Sequence, residues 1–125
     1  MSLDIGLSGA VTIVVTDADT AVAMGSGSVE VLATPRVVAF VEQATCAALN
    51  GHLEPGWTTV GTRVELDHLR PTPVGDSVQA TAILEEIQGR KLTFSVSASD
   101  TRGQVAAGKV TRILVEADRF MDSTR

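Results

Sequence analysis

The sequence predicts an α+β fold in which an antiparallel sheet surrounds one long helix. One stretch, residues 35–49, contains no Gly and is apolar on nearly every side, as a buried helix would be. The segments after it are rich in β-branched residues and alternate apolar with polar positions, which is typical of strands. Short turns containing Gly separate these segments, so we expect successive strands to pair antiparallel. Only a surrounding sheet can bury a single apolar helix.

The composition indicates one domain and excludes several classes of protein. The chain has 125 residues, the usual size of one domain, so we expect a single domain over 1–125. Apolar residues make up 44% and aromatic residues only 3%, so Val, Ala, Ile and Leu must build the core. The net charge of −5 disfavours a nucleic-acid partner, because phosphate contacts need cations. The single cysteine, Cys46, excludes an internal disulfide and most zinc clusters, and we expect no metal or cofactor.

The chain shows no sequence signal for a membrane or for export. No run reaches the roughly 18 apolar residues of a membrane span, and residues 1–4 lack the basic start of a signal peptide. We therefore expect a cytoplasmic protein without a membrane partner.

The segment ahead of the helix begins with a predicted strand. Residues 9–16 are rich in β-branched side chains, and the polar residues 17–19 interrupt the pattern. Residues 20–24 fit either a short strand or a loop. The Gly/Ser stretch 25–28 is a flexible connection that is too short to link two domains.

The helix has the clearest start and stop signals in the chain. Thr34 is a favourable N-cap, and Pro35 at the first helical position loses no needed N–H group. Asn50-Gly51 ends the helix after about 15 residues, a length of roughly 22 Å.

Four predicted strands follow the helix. They cover 58–69, 77–87, 91–100 and 104–116, with turns at 70–76, 88–90 and 101–103. Strict alternation in the first of these strands places Gly61 on one face. The opposite face then carries Val60, Thr62, Val64, Leu66 and His68.

Three polar residues stand out on apolar surfaces. Glu42 interrupts the apolar surface of the helix. It lies either on an exposed polar strip or in an active site, as a general base or nucleophile. His68 ends the apolar face of its strand, where it either bonds to backbone or handles protons. The Thr34 hydroxyl and the free N–H groups of the helix start could stabilise an oxyanion. Thr34 and Glu42 lie about 12 Å apart along the axis, so they can address one elongated site without touching.

Other residues carry weaker signals. Cys46, one turn after the helix carboxylate, is expected to be a buried structural thiol. His52 and Trp57 are expected to pack at the surface or at an interface. Arg90 and Lys91 lie at a hairpin and could meet an anionic ligand.

Short matches to one protein family run without gaps from about Ala33 to Phe120. They are Ala33-Thr34, Glu42, Val60-Gly61-Thr62, His68, Thr72-Pro73-x-Gly75, Glu86-x-x-Gly89-Arg90-x-Leu92, Val96-Ser97-Ala98-x-Asp100, Gly108, Arg112 and Phe120. Together they resemble the fluoroacetyl-CoA thioesterase group of the acyl-CoA thioesterases. The resemblance implies the hot-dog fold, a long central helix wrapped by an antiparallel sheet, and hydrolysis of an acyl-CoA thioester.

The resemblance also implies roles for particular residues. The catalytic set would be Thr34, Glu42 and His68. Gly61 would contribute to the site of the carbonyl oxygen, and Arg112 would contact the ligand. The implied assembly is a homodimer with sheets joined edge to edge and acyl-CoA sites near the subunit boundary, and the sequence leaves open whether two such dimers form a tetramer. Long edge strands independently need such a cover.

One segment departs from the family pattern. The fluoroacetate-specific member has phenylalanines ahead of its catalytic Thr, and they form a lid over the acyl group. The corresponding residues 24–29 contain no aromatic side chain here. We therefore expect a general acyl-CoA thioesterase rather than one specific for fluoroacetyl-CoA.

The hypothesis from sequence is hydrolysis of acyl-CoA with Glu42 as general base or as nucleophile. His68 would handle protons at the sulfur or hold Glu42, while Thr34 and Gly61 would stabilise the oxyanion. The alternative is a non-catalytic hot-dog protein that binds acyl-CoA or a similar small ligand. A dehydratase of this fold would need an Asp/His arrangement that is not found, and a structural dimer leaves the polar residues unexplained. Coenzyme A is anionic, so its entrance would be lined by Arg70, Arg90, Lys91 and Arg112.

Overall fold

The computed structural model describes residues 3–125, which form one five-stranded sheet and three helices. The strands are β1 (Ser8–Val14), β2 (Trp57–His68), β3 (Ser77–Gln88), β4 (Lys91–Asp100) and β5 (Gly103–Glu116). The helices are α1 (Ala21–Met24), α2 (Thr34–Leu49) and α3 (Ala117–Asp122), and a 3-10 turn covers Asp17–Asp19. The strand order is β1-β3-β4-β5-β2, and every neighbouring pair is antiparallel. β2 therefore lies at one edge of the sheet.

The core lies between α2 and one face of the sheet. The helix contacts all five strands. The buried residues that pack there include Val37, Phe40, Val41, Ala44, Leu84, Leu92, Phe94 and Val110. Only two of these are aromatic, so the core has the aliphatic character that the composition predicted. The predicted α+β arrangement, with one long helix against an antiparallel sheet, is confirmed.

β1 crosses α2 at very short range because it carries Gly9. A Cβ at Gly9 would lie 2.3 Å from the backbone nitrogen of Ala48 and 2.7 Å from the carbonyl oxygen of Ala44. Any larger residue would push the strand away from the helix. The glycine therefore sets how closely this edge of the sheet and the helix pack.

The N-cap of α2 lies one residue before the predicted position. Ala33 is the N-cap, with extended backbone angles and no side-chain cap bond. The prediction that Thr34 caps the helix is wrong, because its hydroxyl is hydrogen-bonded to His68 instead. Within residues 3–125, no helix is long and apolar enough to cross a membrane.

The segment between β1 and α2 is more helical than predicted. Residues 20–24, expected as a strand or loop, contain the short helix α1. The Thr20 hydroxyl caps it by accepting a hydrogen bond from the Ala23 N–H at 3.2 Å. Thr20 also forms an isolated bridge with Leu32, which brings this segment back beside the start of α2.

A β-bulge in β2 changes which of its residues face the helix. The pairing of β2 with β5 shifts register between Gly61 and Arg63, so the alternation changes phase there. Gly61 and His68 both face α2, where Gly61 meets Glu42 and His68 meets Thr34. The predicted placement of Gly61 and His68 on opposite faces is wrong, because it assumed an unbroken strand.

Candidate active site

Thr34 and His68 form the first polar contact between α2 and β2. Thr34 lies in the first turn of the helix and His68 is the last residue of the strand. The Thr34 Oγ1 and the His68 Nδ1 are 2.7 Å apart. When Nδ1 carries no proton it accepts the hydroxyl proton, which makes the Thr34 oxygen a better nucleophile or hydrogen-bond partner.

The environment of His68 favours its neutral form. Burial lowers the pKa of the imidazole below its usual value, and the backbone of Arg70 offsets part of this effect. The second ring nitrogen, Nε2, is buried and has no hydrogen-bond partner within residues 3–125. A buried ring nitrogen without a partner is available to a ligand that enters beside it.

The lowered pKa of His68 gives a direct prediction. We expect this imidazole to titrate below 6.5 in the folded protein, since burial disfavours its charged form. The folded chain then binds this proton less well than the unfolded chain, so His68 lowers the stability as the pH falls below 6.5. An NMR titration of the imidazole signals measures the pKa.

The assignment of that NMR signal is simple. The chain has only two histidines, so the His52→Gln variant leaves a single imidazole to follow. A pKa of His68 at or above 6.5 in this variant would contradict the buried, neutral imidazole.

Glu42 and Arg112 form the second polar contact. The Arg112 Nη1 donates to the Glu42 Oε2 at 3.2 Å. Arg112 is itself buried and fixed by Thr59, because its Nε donates to the Thr59 Oγ1 at 2.8 Å and its Nη2 donates to the Thr59 carbonyl at 3.1 Å. The Glu42 side chain stays 35% exposed. One carboxylate oxygen is thus held by a fixed cation while the group remains accessible.

Gly61 lies directly against the Glu42 carboxylate. A Cβ at Gly61 would come within 2.3 Å of the Glu42 Oε2 and 3.3 Å of the Arg112 Nη1. No other residue type leaves room for the carboxylate in this position. The bulge that follows Gly61 is what turns this part of β2 toward the helix.

The predicted site residues fall into two groups within one chain. Glu42, Gly61 and Arg112 form one group, and Thr34 and His68 form the other. The groups are separated by eight residues of α2, about 12 Å along the helix axis. The hydrogen-bond partner of Glu42 in this chain is Arg112. From the sequence, His68 was one candidate for the residue that holds Glu42.

A cavity opens beside Thr34 and His68. It has a volume of about 330 Å³. Its lining consists mostly of small and aliphatic side chains, among them Ala21, Gly27, Val29, Val31, Leu32 and Ala33. Such a lining suits an apolar group attached to a reacting centre at the polar end. Residues 3–125 contain no cluster of three His, Cys, Asp or Glu side chains placed to hold a metal ion.

The buried carboxylate of Asp100 holds the segment that follows His68. It accepts hydrogen bonds from the Arg70 Nη2 at 2.8 Å, the Thr72 Oγ1 at 2.9 Å and the Arg102 N–H at 2.8 Å. Burial raises the pKa of Asp100, but these bonds outweigh it and lower the pKa to about 2. The chain after His68 is therefore fixed against the turn between β4 and β5.

Comparison with known proteins identifies the family. The model of a family described as fluoroacetyl-CoA-specific thioesterase matches residues 15–118. The chain belongs to this family. A curated relative, the fluoroacetyl-CoA thioesterase of Streptantibioticus cattleyicolor, is 34% identical over 96 residues, which is 77% of this chain and 69% of the relative.

Solved structures agree with the family assignment. The fluoroacetyl-CoA thioesterase FlK has a TM-score of 0.93 and 28% identity, over 100% of this chain and 97% of that chain. A hot-dog-like protein from Thermanaerovibrio acidaminovorans has a TM-score of 0.88 and 27% identity, over 96% of this chain and 89% of that chain. The resemblance stated from sequence is confirmed. The protein is a thioesterase with the hot-dog fold.

Sequence reasoning missed two supporting residues of this thioesterase and misplaced one. Thr59, which holds Arg112, and Asp100, which holds Arg70, gained no role because their partners lie far away in sequence. Cys46, expected to be buried, is exposed. It lies four residues after Glu42, on the same side of α2, and lines a cavity with Thr58 and Thr59 of the edge strand β2.

Proposed function

We propose that this thioesterase hydrolyses an acyl-CoA thioester and that Glu42 carries the reaction. The observation that supports this is the position of the Glu42 Oε2, held 3.2 Å from the buried Arg112 Nη1 and pressed against the backbone of Gly61. A carboxylate that is fixed through one oxygen and open to solvent can take a proton from water or attack a carbonyl carbon.

Two routes lead to the same products. As general base, Glu42 takes a proton from a water whose oxygen bonds to the thioester carbon. As nucleophile, the Glu42 oxygen forms that bond itself, and water then hydrolyses the resulting anhydride. In both routes the carbon–sulfur bond breaks, its electron pair goes to the sulfur, and a proton converts the sulfur to the free thiol of CoA.

Thr34 and His68 are proposed to act on the other side of the thioester. The Thr34 N–H can donate to the carbonyl oxygen as it becomes negative, whereas Pro35 has no N–H and the N–H groups of Arg36 and Val37 donate to the Ala33 carbonyl. The Thr34 hydroxyl can also donate there in the tautomer in which the His68 Nδ1 donates to the Thr34 oxygen. His68 can pass a proton through its contact with Thr34. Its lowered pKa keeps the ring neutral and ready to accept that proton near neutral pH.

A homodimer is proposed to bring the two groups of residues together. β2 pairs only with β5 within residues 3–125, so its outer edge is open to a second copy. Antiparallel pairing of two β2 edges would run the His68 end of one copy toward the Gly61 region of the other. Each active site would then take Glu42 from one subunit and Thr34 with His68 from the other. A tetramer would be two such dimers.

A mixing experiment tests this division of the site. Glu42→Gln and His68→Ala proteins are each expected to be nearly inactive, but mixing them after subunit exchange should restore about one quarter of the wild-type rate. Half of the dimers would then be mixed, and each mixed dimer would have one intact site. The measurement is thiol release from an acyl-CoA before and after exchange. Activity that stays at the level of the single variants would contradict a site shared between subunits.

We propose that the enzyme accepts a wider range of acyl groups than fluoroacetyl alone. Residues 24–29 are exposed and have no aromatic side chain, and the cavity beside Thr34 is open and lined by small residues. These features leave room for acyl groups of several sizes. The test is a screen of acyl-CoA chain lengths and head groups, read by free-thiol release.

The same screen addresses the non-catalytic alternative. Saturable binding of acyl-CoA without thiol release would favour a binding protein. The fixed Glu42 carboxylate favours catalysis, because a ligand that is only bound has no need of a carboxylate beside its thioester.

A further inference from the structure

Among residues 3–125, the Lys and Arg side chains without an ion-pair partner all lie at one end of the sheet. The chain has ten Lys and Arg residues. Seven of them form ion pairs within residues 3–125, namely Arg36, Arg63, Arg70, Arg102, Lys109, Arg112 and Arg125. The other three are Arg90 and Lys91 at the turn between β3 and β4, and Arg119 on α3.

This distribution changes the expected entrance for an anionic ligand. Arg70 and Arg112 were expected to line it, but Arg70 is bound to Asp100 and the buried Arg112 is bound to Glu42 and Thr59. Both guanidinium groups therefore already bind carboxylates of this chain, although the Arg70 side chain is 29% exposed. The cations without such a partner among residues 3–125 are the ones whose charge is open to an anionic ligand.

Arg90 and Arg119 line one cavity together with two aromatic side chains, the half-buried Trp57 and the exposed Phe120. This cavity, called here the Trp57 cavity, has a volume of about 210 Å³. Its lining includes Trp57, Arg90, Val115, Glu116, Arg119 and Phe120. The Arg90 guanidinium lies 5.3 Å from the centre of the Trp57 ring, and Phe120 is 38% exposed. Two free guanidinium groups beside two aromatic surfaces form a site for a planar, anionic ligand.

We infer that the Trp57 cavity binds the nucleotide end of coenzyme A, its adenine and phosphates. This inference rests on the proposed acyl-CoA function. The adenine would stack on Trp57 or Phe120, as nucleic-acid bases stack on aromatic side chains. Arg90 and Arg119 would bind phosphate oxygens through paired N–H groups. Among residues 3–125, Glu116 is the one carboxylate in the lining, so the two arginines give the cavity a net positive charge.

The cavity lies in line with the proposed reaction centre. Trp57, Thr59 and Gly61 alternate along β2 ahead of the bulge, so they share one face. Trp57 is four residues from Gly61, about 13 Å along the strand. The pantetheine arm of coenzyme A, which joins the thioester to the nucleotide, can span such a separation.

The first experiment measures nucleotide binding without turnover. Trp57 is the only tryptophan of the chain, so its fluorescence reports on this cavity alone. Adenosine 3′,5′-bisphosphate should quench it saturably. Arg90→Ala and Arg119→Ala should each weaken this binding about tenfold, because each removes a charge-assisted contact. The matched control is Arg63→Ala, which removes an exposed and paired cation of the same sheet.

Absence of saturable quenching, or equal binding by the Arg90, Arg119 and Arg63 variants, would overturn the inference. Trp57→Ala, measured by calorimetry, should weaken binding about tenfold through lost stacking.

The second experiment separates this inference from the proposed function. The ratio of kcat/KM for an acyl-CoA to kcat/KM for the same acyl-pantetheine should fall about tenfold in Arg90→Ala, since only the first substrate carries the nucleotide. An unchanged ratio would contradict the nucleotide site while leaving thioester hydrolysis intact. Saturable bisphosphate binding by a protein that hydrolyses no thioester would instead contradict the proposed function and leave the nucleotide site standing.

Discussion

Glu42→Gln is expected to lower kcat/KM for the preferred acyl-CoA by about 100- to 1,000-fold. The amide has the shape of the carboxylate but neither accepts a proton from water nor attacks a thioester at a useful rate. The fold should survive, because the Glu42 side chain is 35% exposed. Arg112 also keeps its two hydrogen bonds to Thr59 in this variant.

The matched control for this variant is Glu65→Gln. Glu65 is an exposed carboxylate of β2 that pairs with Arg63, so this change removes the same charge away from the site. Its kcat/KM should stay close to that of the wild type. A folded Glu42→Gln protein with the activity of the control would remove Glu42 from the mechanism.

Gly61→Ala is expected to lower kcat by about 100-fold, because a small displacement of a catalytic group costs about that much. The new methyl group would lie 2.3 Å from the Glu42 Oε2. The carboxylate is the flexible end of a side chain, so it should move while the strand stays in place. The variant therefore tests the position of the carboxylate without changing its chemistry. Circular dichroism and steady-state kinetics measure the two consequences separately.

Thr62→Ala serves as the control for Gly61→Ala. Thr62 is the next residue of β2 and is exposed. Truncation there should leave kcat near the wild-type value. If Gly61→Ala also keeps the wild-type kcat, the close contact between Gly61 and Glu42 has no part in the reaction.

The fold could be predicted because its signals are local. The apolar surface of residues 37–49 and the alternation in the later strands follow from helical and strand geometry, and the structure contains these elements with shifts of one or two residues at most ends. The β-bulge at Gly61/Arg63 could not be predicted, since alternation carries no signal for an extra residue in a strand. Because of the bulge, Gly61 and His68 lie on the same face of β2, whereas unbroken alternation predicted opposite faces.

The sequence predicted which residues would form the candidate site, but it did not predict most of the contacts between them. Glu42 and His68 stood out as polar residues on apolar surfaces, and the family resemblance added Gly61 and Arg112. The contacts that hold them depend on residues far apart in sequence, as in the pairing of Arg112 with Thr59. The N-cap prediction for Thr34 failed for a related reason, because a distant imidazole takes the hydroxyl that local rules assign to the helix start.

The most direct test of the proposed reaction is a product balance on the wild-type protein. With excess acyl-CoA, each thioester consumed should yield one free thiol and one free acid over many turnovers. Glu42→Gln purified in parallel should bind the same acyl-CoA and release almost no thiol. Equal thiol release by the two proteins, or saturable binding by the wild type with no thiol released, would contradict hydrolysis by Glu42.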